Sequence, residues 1–364
     1  MDRFAGSSPI TTFPIFIVLV VVSCVLSGCG GSGGGSGTTP VQQTPTITTN
    51  PNVTAKTLYS ADSANYTVDM YTANQSGAVS TSATIPISSA DLPTAIAGDA
   101  AGNLYVGVDT NTGGQVLAFA SGATTVSRTI TLPNPGNPDS NQVVSMTTDS
   151  LGNLYVAGSS VATTSGVTSS VASIFVFSPG ATGSAAPLRT ISGSATTLLA
   201  GSGGTGIAQM SMDSKDNLYV AEGGGGPKAA VVMFPAGANG NVAPTVITSS
   251  TYSPAGVTLD AQDNIYITQS ESTDGKSLAA VYVFPKGSAS GATPTRTITG
   301  SSTGMFIYLN NIHVDSAGNI FVAEVADGHQ AYLVYSATAN GNVAPSSTLS
   351  PARGSTLDSQ FYLK

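Results

Sequence analysis

Three acidic residues at one repeated position are the groups of this chain best placed for chemistry. A turn-forming Asp returns at Asp99, Asp149, Asp213, Asp260 and Asp315, and the residue nine places later is Val108, Gly158, Glu222, Gln269 or Glu324. Asp62 holds the matching place near the start of the repeats. Carboxylates delivered to one mouth of a ring from equivalent positions make a hard oxygen site, suited to a divalent cation or a polar ligand. Counting back from the same Asp, the residues two and four places earlier include His313 and Asn311. An imidazole near Glu324 has the chemistry of a general base. His313 is therefore the candidate catalytic residue, and Asp62, Glu222, Gln269, Asn311, His313 and Glu324 form the candidate ligand or metal set. No Ser-His-Asp spacing accompanies His313, and the other histidine, His329, stands in a loop beside Asp327-Gly328. The plain structural alternatives are solvated strand ends and a water-filled polar channel.

These residues need a ring to bring them together, and the sequence repeats as a ring does. A short apolar strand ends in Tyr71, Phe119, Phe177, Phe234, Phe284 or Tyr335. A small-residue turn follows, then a second strand closing at Ile85, Ile130, Ile191, Ile247, Ile298 or Leu349. Ahead of most copies stands a hairpin, D-x-x-G-N or D-x-x-D-N, whose Asn is Asn103, Asn153, Asn217, Asn264 or Asn319. Asp at the first turn position accepts from the turn amides, and Gly or Asn is expected to take the left-handed conformation. The motif lacks the alternating acids and closing Glu of an EF-hand. Each unit then has four strands, a to d, and Pro187, Pro244, Pro294 and Pro345 precede strand d, where Pro suits an outer edge.

A period near fifty residues with several strands per unit predicts an all-β, six-bladed β-propeller of four antiparallel strands per blade, with seven blades as the fallback. The c–d unit occurs six times and the a–b unit five, so the last blade is expected to combine both chain ends. Residues 350–358 echo strand a at 253–260, and Leu58 to Asp62 echo strand b at 218–222. Phe361 to Leu363 could be a further strand b, leaving a 2+2 or a 3+1 split. Strand a should line the channel, with Ala95, Ala97, Ser145, Thr147, Gln209, Ser211, Gly256, Thr258, Asn311 and His313 on its inner face. The b–c and d–a loops, including 158–172 and 192–206, should ring the binding mouth.

The repeated D-x-x-G-N-hydrophobic-Tyr-Val-Ala pattern resembles the NHL-repeat propellers and, more distantly, their gluconolactonase-like relatives, over about residues 58–364. The resemblance implies a propeller. In the gluconolactonase-like group it also implies a divalent metal in the channel, held by Glu, Asp and Asn. That set has no residue-by-residue match here.

Residues Phe13 to Leu26 are an apolar run short for a membrane span and ending in Leu26-Ser27-Gly28-Cys29. This sequence resembles the lipobox of bacterial lipoproteins, which implies removal of residues 1–28 and acylation of Cys29. Asp2 offsets the charge of Arg3 in the leading segment. The residue after the Cys is Gly30 rather than Asp, which by the same resemblance implies the outer membrane in a Gram-negative host. The only other cysteine, Cys24, lies in the removed segment, so neither a disulfide nor a thiolate metal site is available. Residues 29–57 read as a lipidated Cys and a Gly/Ser/Thr/Pro tether with a reach of about 30 Å, and residues 58–364 as the propeller. A G-x-S-x-G match at Gly30 to Gly34 lies in low complexity without the strand and helix a nucleophile elbow needs.

Charged residues make up only 8% of the chain and the net charge is −8. No basic patch exists for nucleic acid. The expected protein is a monomeric, extracytoplasmic propeller of the cell envelope, anchored in the lipid bilayer through Cys29. It would bind an envelope protein or a glycan; the alternatives are a metal-dependent lactonase or hydrolase, and a passive structural lipoprotein.

Overall fold

A computed structural model describes residues 47–133, 142–164, 167–200, 206–223, 229–248, 254–270, 279–306, 308–326, 329–351 and 360–364. They form six sheets arranged as the six blades of a β-propeller. Blade 1 runs Leu92–Gly98, Leu104–Thr110, Gly113–Phe119 and Arg128–Thr131 as strands a to d. Blade 2 is Gln142–Thr148, Leu154–Thr164, Val167–Phe177 and Arg189–Ser192. Blade 3 is Ile207–Met212, Leu218–Glu222, Ala230–Phe234 and Thr245–Val246. Blade 4 is Pro254–Leu259, Ile265–Gln269, Ala280–Phe284 and Arg296–Thr299. Blade 5 is Leu309–Val314, Ile320–Ala326, His329–Tyr335 and Ser347–Pro351.

Blade 6 closes the ring with a 3+1 split: Phe361–Leu363 is its strand a, paired with Thr57–Asp62, then Thr67–Thr72 and Ala83–Pro86. Two sequence expectations change here. Phe361–Leu363 is the inner strand rather than a strand b, and Ser350 and Pro351 belong to strand d of blade 5. Residues 352–359 lie outside the described set. A second device seals the ring. Gln75–Val79 runs parallel to blade 5 strand d, through Leu349↔Gly77 and Pro351↔Val79, and carries Thr48–Thr49 on its outer side. Residues 47–56, expected in the tether, lie against blade 5: Val53 and Ala55 are buried, and the Thr54 amide donates to Asp315 Oδ2 at 2.8 Å.

The repeated aromatics and branched residues do what their periodicity required. Tyr71, Phe119, Phe177, Phe234, Phe284 and Tyr335 are all fully buried, as are the six closing Ile and Leu side chains. They build cores between successive blades, such as Tyr105, Val116 and Ile130 of blade 1 against Leu154, Val156 and Phe177 of blade 2. Each interface is therefore a nearest-neighbour hydrophobic contact, as in other repeat proteins.

The Asp turns are equally regular. In each, one Asp oxygen accepts from the Asn amide four residues on, as in Asp99–Asn103 at 2.9 Å, while Asn Nδ2 donates to the other at 2.8 Å. The left-handed residue is the one before the Asn, not the Asn itself: Gly102, Gly152 and Gly318, or Asp216 (φ 61°) and Asp263 (φ 63°). Those two Asp side chains clip neighbouring blades. Asp216 accepts from the Ser150 amide and hydroxyl at 2.8 and 2.6 Å, and Asp263 from the same groups of Ser214 at 2.8 and 2.7 Å. The Arg of each R-T-I strand d forms another clip. Arg296 stacks on Tyr266, donates to its hydroxyl at 3.0 Å and reaches the Ala337 carbonyl of blade 5 at 2.7 Å. Arg128 and Arg189 repeat the stack on Tyr105 and Tyr155.

The loop predicted at 158–172 is largely strand. Blade 2 strands b and c stay in register to Thr164↔Val167, six residues beyond Gly158, where the equivalent blade 3 strand stops at Glu222. At about 3.3 Å per residue the hairpin projects roughly 20 Å.

Candidate functional site

Strand a is the innermost strand of every blade, so its alternating side chains face the axis. Four residues before the turn stand Ala95, Ser145, Gln209, Gly256 and Asn311, and the register of blade 6 puts Gln360 in the same layer. This layer is knitted across the channel. Gln209 of blade 3 reaches past blade 4: its Nε2 donates to the Ile312 carbonyl at 2.9 Å, and its Oε1 accepts from the amides of Ile312 at 3.0 Å and Val257 at 3.1 Å. Gly256 makes room for it, since a Cβ there would lie 2.6 Å from Gln209 Oε1 and 2.7 Å from the Asn310 carbonyl. Opposite, Asn311 Nδ2 donates to Gln360 Oε1 at 2.9 Å. Ser145 Oγ accepts from the Met210 amide at 3.0 Å.

Below this amide layer, toward the Asp turns, lies a cavity of about 150 Å³. Its wall continues with Thr147, Ser211, His313 and Tyr362 and with Ala97, while the alternating side chains of Ile96, Met146 and Met210 pack in the cores between blades. Every lining residue comes from the turn-side half of strand a or from its blade 6 equivalent, so the amides roof the cavity on the side of the b–c and d–a loops. Tyr362 lies over Gly98, where a Cβ would stand 2.3 Å from its ring. His313 meets Phe361 edge to face, with ring centroids 4.6 Å apart. Burial pushes the His313 imidazole down to about 4, against a hydrogen bond to the Phe361 backbone, so it is neutral at physiological pH. Among the described residues no Asp, Glu, Lys or Arg lines the cavity.

Of the candidate set, this arrangement brings together Asn311 and His313. The other four stand apart from it. Glu222 and Gln269 end strand b, and Glu324 stands two residues short of its end, on the face shared with Leu218 and Val220, Ile265 and Ile267, or Ile320 and Val322, which packs on the preceding blade. All three are buried. Glu222 Oε1 accepts from the Leu199 amide at 3.1 Å. One side-chain oxygen of Gln269 and one of Glu324 are buried without a partner. Burial raises Glu324 to about 7. The burial of Tyr335 itself, and secondarily the nearby Glu324 carboxylate, hold the Tyr335 hydroxyl above its ordinary range. Asp62 spends its carboxylate on its own turn, accepting from the amides of Ala64 at 3.1 Å and Asn65 at 3.0 Å and from Asn65 Nδ2 at 2.8 Å. The side chain of His329 and the Asp274-Gly275 and Asp327-Gly328 turns lie outside the described residues.

The metal implied by the family resemblance does not fit this donor set. Among the described residues no three His, Cys, Asp or Glu side chains come close enough to hold an ion. In the channel the Gln209 oxygen is already committed to two backbone amides.

Sequence reasoning placed Ser145, Thr147, Gln209 and Ser211 on the channel face but missed Gln360 and Tyr362. Aligning Gln360-Phe-Tyr-Leu-Lys364 on Gln209-Met-Ser-Met-Asp213 would have found both. A larger depression of about 470 Å³ lies between the turns of blades 4 and 5. It opens where Ala261 and Gly318 replace the Ser and Asp that clip blades 2 to 3 and 3 to 4. Its Asp260 carboxylate is taken up by Gln262, Asn264 and Tyr266.

Comparison with known proteins adds fold and no family. No family model and no curated protein sequence matches the chain. Among solved structures, a protein of unknown function from Bacteroides caccae aligns at TM-score 0.57 and 8% identity, covering 85% of this chain and 98% of that one. The PQQ-bound aldose sugar dehydrogenase of Streptomyces coelicolor aligns at 0.50 and 12%, covering 80% and 98%. A gluconolactonase from Xanthomonas campestris aligns at 0.43 and 13%, covering 74% and 84%. At these identities the likeness is one of fold.

Proposed function

We propose that this chain is a cell-envelope propeller, anchored through acylated Cys29, that holds a partner at its loop-side mouth and does not turn over a substrate. The partner is an envelope protein or a glycan. The observation that carries this reading is the blade 2 hairpin, which extends strand pairing to Thr164↔Val167. It lies within residues 150–188, a stretch without a single Asp, Glu, Lys, Arg or His. An arm of that uncharged composition should make contacts insensitive to salt. The separation of Glu222 and Glu324 into different blade interfaces, with Asp62 held on its own turn, supports binding over metal-assisted hydrolysis.

Cell-envelope fractions passed over immobilised protein test the reading. A partner that is retained, withstands salt and is lost when residues 160–170 are replaced by a two-residue turn supports it. Equal retention by the shortened variant, or turnover of a lactone by the purified protein, would refute it. The anchor is tested separately: Cys29→Ser should release the protein from membranes.

A further inference from the structure

We propose that the turn-side half of the central channel is a binding site for a small neutral polyol. The site is separate from the loop mouth, from which the amide layer divides it. Its size matches a molecule of about six heavy atoms, as in glycerol, with a single sugar ring as the upper limit.

Among the described residues the lining holds no ionised side chain, so a bare anion or cation entering it would lose its hydration without gaining a counter-charge. A wholly apolar molecule would leave the hydrogen-bonding groups of Thr147, Ser211, His313 and Tyr362 facing a surface that cannot answer them. A polyol satisfies both constraints. Its hydroxyls meet those groups, while its C–H face meets Ala97 and the Tyr362 ring. The roof is rigid before any ligand arrives, because Gln209 is fixed by three backbone hydrogen bonds and Asn311 by Gln360. Little ordering remains to be done on binding.

The test is ligand-observed saturation-transfer NMR on the full chain with glycerol, D-xylose and the anion D-glycerate. Saturation should reach glycerol or D-xylose and not D-glycerate. Thr147→Val keeps the side-chain shape and removes one hydroxyl, and it should weaken the neutral ligand by about tenfold with an unchanged unfolding midpoint. Ser211→Leu should fill the cavity and abolish the signal; if that variant does not fold, Thr147→Val decides alone. No transfer to either neutral polyol, equal transfer to D-glycerate, or full binding by Thr147→Val would overturn the proposal.

Discussion

Two sets of polar residues occupy equivalent repeat positions and meet opposite fates. Those four places before the turn Asp converge on the axis, where Gln209 of blade 3 touches Ile312 of blade 5. Those nine places after it stand near the end of strand b and sink singly between blades, as Glu222, Gln269 and Glu324 do. The difference is radius and facing. Strand a lies on the smallest circle with side chains turned to the axis, whereas strand b lies about 4.8 Å further out with side chains turned to the next blade. Equivalence in a repeat therefore guarantees a common environment and does not guarantee a meeting.

The largest expected effect comes from the inner set. Gln209→Ala strands the Val257 amide and both Ile312 backbone groups and should cost about 3 kcal/mol, lowering Tm by roughly 6–12 °C. Calorimetry on the purified variant reads this directly, and a loss under about 1 kcal/mol would mean that the amide layer does not hold the ring.

Glu324 gives the next effect and tests the outer set. Its carboxyl is at about 7 in the folded protein against an ordinary 4.5, so folding favours the protonated form. Stability is then full below about 4.5 and falls as pH rises to about 7. Glu324→Gln should remove that fall and be about 2 kcal/mol more stable than the parent at alkaline pH. Urea titrations on both sides of neutrality measure it, and parallel pH profiles for the two proteins would sink the idea. His313 works in the opposite sense. Its pKa of about 4 against 6.5 means stability present above 6.5 and lost as pH falls toward 4.

Between the sets, the blade clips should be worth less. Asp263→Gly suits the left-handed backbone but forfeits the Ser214 bonds and the exposed Lys286 ion pair, for a net loss of about 1 kcal/mol by thermal unfolding. An unchanged midpoint would assign the clip no energetic role. The smallest effect belongs to Asp62→Asn, since an amide oxygen still accepts from the turn. Its stability should stay within about 0.5 kcal/mol of the parent, and a larger loss would mean that the negative charge itself matters.

Some of this was legible in advance because it is local or periodic. The Asp and Asn of each turn bond across four residues, and each buried aromatic ends its own strand. The blade count, the strand order and the inner face of strand a followed from those short-range rules. The closing strand was misassigned because residues 350–358 and 360–364 both resemble strand a. Only pairing with Thr57–Asp62 settled which one occupies that place.

By itself, the sequence determined a six-bladed all-β ring, since a repeated unit that cannot bury its faces alone must stack on copies of itself. Tertiary structure alone decided which polar groups meet. Gln209 and Ile312 are 103 residues apart. They come together only because the ring curves strand a of blade 5 toward blade 3 and because Gly256 has no side chain in between. A contact of that kind depends on the circle a residue stands on and on an atom missing from a third blade, and neither is a property of local spacing.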